Sequence, residues 1–172
     1  GLIIANRPRY GGYIAHIGII LMTVGIVGSS FYNTEQDATL TIGESMNIGR
    51  YTLTYDDLNI YQTQSKRVVS ATMSVRNEGK LISQLVPEKY FHQSYEQPVT
   101  EVAIHGNLAE DLYIILVDSE ASSGLSDFKV LINPVVNWIW IGGLVLVLGG
   151  LISFWPERQR ATISEQTGPG RS

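Results

Sequence analysis

The sequence predicts a membrane protein in which two transmembrane α-helices flank a small antiparallel all-β domain, a barrel or a sandwich. Three observations predict it. Two apolar blocks, residues 11–31 and 134–155, contain no Asp, Glu, Lys or Arg, and each meets the roughly 20 helical residues that a bilayer core requires. The stretch between them alternates apolar and polar residues in short runs separated by turn residues. The charges are also sorted. Residues 32–133 carry fourteen acids against seven bases, while Arg7, Arg9, Arg158 and Arg160 stand just outside the apolar blocks.

Residues 1–10 form a short basic lead, and the chain begins with Gly1 rather than Met, as a fragment or processed product would. Residues 11–31 then read as the first span. Its small residues Gly11, Ala15, Gly18, Gly25 and Ser29 form a stripe along which another helix can approach closely. A cleavable signal peptide is the competing reading, with "VGSS" as the small-residue site. The length of the block, its two early glycines and its histidine weigh against it.

Residues 32–133 read as the β-domain. "ATLTIG" and "GRYTLTYDDLNIYQ" alternate, the second through Tyr51, Leu53 and Tyr55. "RVVSATMSVRNEGKLISQLVP" predicts two strands joined at Asn77, Glu78 and Gly79. "VTEVAIHG", "DLYIILVDS" and "DFKVLINP" complete a set of about seven strands.

The second span, residues 134–155, opens at Pro134, a residue suited to the first turn of a helix. Trp138 and Trp140 are expected at one membrane interface and Trp155 at the other. Gly142, Gly143, Gly149 and Gly150 provide small faces. Together the two spans look made to pack against helices, including more than this chain supplies. The polar tail, residues 156–172, has the composition of a disordered segment. By the positive-inside rule both termini are cytoplasmic and the β-domain lies outside, in the periplasm of a bacterium with an inner membrane.

Composition excludes several chemistries. Without cysteine there is no disulfide framework, thiolate metal site or cysteine nucleophile in the chain. The acidic middle argues against a nucleic-acid partner. No Gly-rich phosphate loop or Ser/His/Asp arrangement is evident. His92 and His105 read as surface or loop histidines, and the adjacent carboxylates of "TYDDL" and "NLAEDLY" as solvated strand edges.

His16 is different. It interrupts an uncharged span about 8 Å along the helix from Gly11, and ionisable groups at such depth usually face a bundle interior, a cavity or a cofactor. Gly12 and Ala15 leave room for a flat macrocycle, and a neutral imidazole is a good haem-iron ligand. From the residues alone the commoner case is a histidine hydrogen-bonded to a neighbouring helix or snorkelling to the interface.

"NRPRYGGYIAHIGIILMTVGI", "VPEKYFH", "PVTEVAIHGNLAEDLYIIL" and "INPVVNWIWIGGLVLVLGGL" resemble, in order, the closing part of the CcmF family, the haem lyases of bacterial cytochrome c maturation. The resemblance runs from about Arg7 to Trp155, and its most specific piece is the pattern around Asn133, Pro134, Trp138 and Trp140. It implies about the last quarter of a multi-span protein that attaches haem to apocytochrome c. It also implies a haem chaperone (CcmE) and CcmH- and CcmI-type proteins as partners. His16 matches one of two membrane histidines that hold a b-type haem, so the second axial ligand would lie outside this chain. The family's Trp-rich motif, its two flanking histidines and the other membrane histidine have no counterpart here, so the ligation chemistry is not complete within this chain. A non-enzymatic, membrane-anchored adaptor whose acidic domain docks a partner is the alternative reading.

Overall fold

The computed structural model describes residues 6–92 and 97–155. The chain enters through α1 (Arg7–Phe31), so the second half of the basic lead is already helical, with Pro8 in the first turn where a missing N–H costs nothing. Among the described residues ten strands follow: β1 (Thr34–Thr41), β2 (Ser45–Ile48), β3 (Tyr51–Gln62), β4 (Lys66–Asn77), β5 (Lys80–Leu85), β6 (Glu88–His92), β7 (Val99–Glu101), β8 (Ala103–Gly106), β9 (Glu110–Glu120) and β10 (Leu125–Pro134). The chain returns through α2 (Asn137–Phe154). Both helices are long and apolar enough to cross a membrane.

The strands form two sheets, so the domain is a sandwich and not a barrel. One sheet runs β1-β10-β9-β8. The other runs β2-β3-β4-β6-β7, with β5 also paired to β4. All neighbours are antiparallel. Alternation sets which side chains enter the core: Tyr51, Leu53 and Tyr55 point inward from β3, and Leu112, Ile114 and Leu116 from β9. The Tyr55 ring meets Phe128 edge-on at 5.0 Å. Its hydroxyl shares a 2.9 Å hydrogen bond with that of Ser126, so the one polar atom it carries inward is satisfied.

The predicted hairpin is present. Asn77 pairs with Lys80, leaving Glu78 and Gly79 as a two-residue loop, both at positive φ (51° and 80°), as a type I′ turn requires. Two segments depart from expectation. "EKYFH" is a strand, β6, paired to β4 and carrying β7 on its other edge. Its charged residues had hidden the period. Pro134, expected in the first turn of the second helix, instead ends β10 opposite Glu110. Val135 then turns the chain at φ 53°, an unusual conformation for a β-branched residue. A 2.7 Å hydrogen bond from its N–H to the Ala109 carbonyl and side-chain contact over Gly28 hold it there.

The helices pack as an antiparallel pair along a glycine seam. Gly11, Gly18 and Gly25, seven residues apart, face Gly149, Gly142 and Ile139. A methyl group added at Gly18 would lie 2.6 Å from the Leu146 nitrogen and 2.7 Å from the Gly142 oxygen. One added at Gly149 would lie 2.5 Å from the Ala15 nitrogen. Backbones this close leave no room for side chains. Gly12, Gly143 and Gly150 lie off the seam, with nothing within 4 Å of the position a Cβ would take.

Gly18→Leu is therefore expected to force the helices apart and lower the thermal midpoint of the detergent-solubilised protein. Gly143→Ala, which meets nothing and gains helix propensity worth up to about 1 kcal/mol, is expected to leave it unchanged or raise it. Equal midpoints for the two variants would contradict the seam.

Candidate functional site

The seam fixes what the rest of α1 presents. With Gly11, Ala15, Gly18 and Gly25 turned to α2, His16 points the other way and is exposed. Its Nδ1 lies 2.7 Å from the Gly12 carbonyl oxygen. A carbonyl can only accept, so Nδ1 carries the proton and Nε2 keeps its lone pair outward. Metal-binding histidines are commonly held this way, one ring nitrogen tied to a carbonyl and the other free to bind. Gly12 leaves the surface beside the ring open. One to two turns nearer the N-terminus on the same side, Arg9 Nε donates a 3.0 Å hydrogen bond to the Tyr13 hydroxyl, and its guanidinium carbon lies 6.0 Å from the Tyr13 ring centre. Donor type, tautomer and open face all fit a haem iron ligand.

The other two histidines belong to strands of the sandwich. His105 is half-buried on β8 opposite Leu112, and His92 is the last residue of β6, paired with Lys66. Among the described residues no three of His, Cys, Asp and Glu gather as a metal site would need. The disordered tail expected at residues 156–172 lies outside the described residues.

One expectation is corrected. Asp56 and Asp57 are exposed, but Asp111 of "NLAEDLY" is buried and is no solvated edge. The reason is the junction between sandwich and membrane helix. Asn137, at the start of α2, donates from Nδ2 to the Asn107 carbonyl (2.6 Å) and to Asp111 Oδ1 (3.1 Å). Trp138 Nε1 donates to the Leu108 carbonyl at 3.0 Å. Asn107 Oδ1 in turn accepts from the N–H groups of Ala109 and Glu110, fixing the loop that β10 and α2 grip. Its Nδ2 reaches the buried Tyr51 hydroxyl at 3.3 Å, and Arg50 pairs with Glu110 at 2.8 Å. Burial pushes the Asp111 carboxyl above the usual carboxylate range, with the Asn137 bond and the nearby His105 opposing it. Asp111 fits only because residue 106 is glycine: a Cβ there would lie 2.8 Å from Oδ1. Sequence reading missed this latch. The signal available for it was an asparagine opening an otherwise apolar helix.

Together these features define a class: a β-sandwich carried on a pair of membrane-crossing helices and latched to the second, with an imidazole donor on the outer face of the first. The particular family follows from comparison. Residues 31–134 match the sequence profile of the family described as the CcmF C-terminal beta-sandwich, and the chain belongs to that family. It is 34% identical over 157 residues to the cytochrome c-type biogenesis protein CcmF of Escherichia coli K12, covering 91% of this chain and 24% of that protein. The CcmF of Pseudomonas fluorescens is 32% identical over 96% of this chain and 25% of its own length. The chain thus spans about a quarter of these relatives. A solved structure, cytochrome c heme lyase CcmF, shares the fold with a TM-score of 0.71 at 24% identity, over 89% of this chain and 26% of that one.

Asn137→Leu is expected to destabilise the sandwich by about 1–3 kcal/mol, because it orphans a buried carboxylate and a carbonyl. Chemical denaturation followed by tryptophan fluorescence measures it. The pH dependence has a defined sign. The folded state holds the Asp111 proton more tightly than the unfolded chain, so acidification through its raised range adds stability. Asp111→Asn, which keeps an acceptor for Asn137, is expected to remove that gain.

Proposed function

We propose that this chain is the C-terminal part of a cytochrome c maturation haem lyase, and that His16 supplies one axial ligand to a membrane-embedded b-type haem. The observation that carries the reading is the His16 ring, whose Nδ1–H is committed to Gly12 and whose Nε2 faces away from α2. The chain's membership in the CcmF family supports it, as do the names of its relatives, a cytochrome c-type biogenesis protein and a cytochrome c heme lyase. Bound there, a haem supplies one-electron chemistry. The chain's own part is to orient the imidazole, hold its tautomer and keep one face of α1 free for the macrocycle. The second ligand comes from another part of the full protein.

In this reading residues 11–31 and 134–155 cross the bacterial inner membrane, with both termini cytoplasmic and residues 32–133 in the periplasm. The arginines flanking the spans support that orientation. The sandwich is the docking domain for the haem chaperone (CcmE), for CcmH- and CcmI-type proteins and for apocytochrome c, whose thiols receive the haem. Its acidic excess and free sheet edges suit such a role. The same excess favours the competing reading, a membrane-anchored adaptor with no haem of its own.

His16→Ala in the full-length protein separates the two. The expected outcome is loss of the b-type signal in the reduced-minus-oxidised spectrum at unchanged protein level, with a fall in cytochrome c yield. An undiminished b-type signal would leave the adaptor reading standing.

A further inference from the structure

We propose that Arg9 and Tyr13 form an anion clamp for the carboxylate edge of the macrocycle at His16, so that the haem lies along α1 with its propionates toward the basic end of the helix. The inference rests on His16 being the iron ligand and goes beyond it, since ligation alone leaves the in-plane orientation open.

At about 100° per residue, Arg9, Tyr13 and His16 fall within about 60° of one another around the helix, and Gly12 lies about 40° from His16 on its other side. All four are off the seam that α2 occupies. An imidazole projecting outward from this face binds a macrocycle that lies flat along the helix surface. One edge then reaches back over Gly12 toward Tyr13 and Arg9, and the other lies over Ile19 and Ile20. The two ends differ sharply in chemistry. Ile19 and Ile20 are exposed alkyl groups, and the nearest hydroxyl beyond them, on Thr23, is spent on the Ile19 carbonyl at 2.9 Å. A propionate placed there would be an unpaired charge in hydrocarbon, at a cost of several kcal/mol.

The other end is built to receive it. Arg9 lies two turns, about 10 Å, before His16 along the axis, at the end of the span where water begins. The bond from its Nε to the Tyr13 hydroxyl holds the guanidinium along the helix and leaves its outer N–H groups as donors. Arg9 takes part in neither of the ion pairs formed among the described residues. The Tyr13 oxygen accepts from Arg9, so its own proton is free to donate to a carboxylate. Tyr10 meets the Tyr13 ring edge-on at 6.4 Å and steadies it. Gly12 presents no side chain between clamp and ligand. A planar guanidinium beside a phenol hydroxyl is well matched to a carboxylate, which takes parallel hydrogen bonds from a fork of donors.

The test uses the full-length protein in membranes and compares Arg9→Gln, Arg9→Lys and Tyr13→Phe with His16→Ala. Three readouts are taken per polypeptide: the b-type spectrum, the haem midpoint potential and the rate of haem transfer to apomyoglobin. Arg9→Gln is expected to keep the low-spin b-type spectrum but to lower the potential, because a cation near the iron disfavours the ferric state. It is also expected to release haem about tenfold faster, the effect of losing one charge-assisted hydrogen bond. Arg9→Lys should restore the potential and part of the retention. Tyr13→Phe should move retention in the same direction by less, and it decides the matter if Arg9→Gln does not accumulate. Unchanged potential and retention in Arg9→Gln and Tyr13→Phe, with the spectrum lost in His16→Ala, would overturn the clamp and leave the ligand. A spectrum retained in His16→Ala would overturn both.

Discussion

Glycine at every seventh position of α1 lets two helix backbones touch, and the direction of every other side chain on that helix follows from this contact. Lipid tails offer no hydrophobic drive to join two apolar helices, so close van der Waals packing must supply the association. A methyl group at Gly18 or Gly149 would fall inside the partner backbone. The seam therefore sets both separation and rotation. Rotation matters most, because turning Ala15 and Gly18 inward turns His16 outward. A helix free to rotate would present no defined donor.

The second constraint couples this pair to the sandwich. Asn137 belongs to the membrane helix, while its partners, Asn107 and Asp111, belong to the β8–β9 connection. Val135, held in a left-handed turn, lets β10 run straight into α2 with no flexible linker. Its side chain packs over Gly28 of the first helix, so one residue touches both spans' geometry and the sheet's end. The sandwich is thus an extension of the helix pair. In the proposed assignment, a partner docked on the sandwich meets a surface held in fixed relation to the membrane site.

Much of this was legible in the sequence, for physical reasons that differ by element. The spans were visible because nothing charged survives in hydrocarbon. Strand β3 was visible because Tyr51, Leu53 and Tyr55 alternate cleanly, and the β4–β5 hairpin because a short loop containing Gly79 separates two alternating runs. Strand β6 was not visible: Glu88 and Lys89 are charged, and one of its two partners, β4, is not its neighbour in sequence. The Asp111 latch was hidden for a related cause. A carboxylate is buried only when a distant donor meets it, and Asn137 lies 26 residues away. His16 was singled out by its chemistry alone, but its tautomer and rotation depend on Gly12 and on α2, which only the packed helix pair reveals.

The proposed assignment is geometric: the glycine seam turns the His16 Nε2 outward, where it would bind iron. A cryo-electron microscopy map of the full-length protein with its haem tests this most directly. The expected map shows the iron bonded to His16 Nε2, Nδ1 against the Gly12 carbonyl, and the porphyrin on the face of α1 opposite α2. Iron bound to Nδ1, or His16 hydrogen-bonded to another helix with the haem elsewhere, would contradict it.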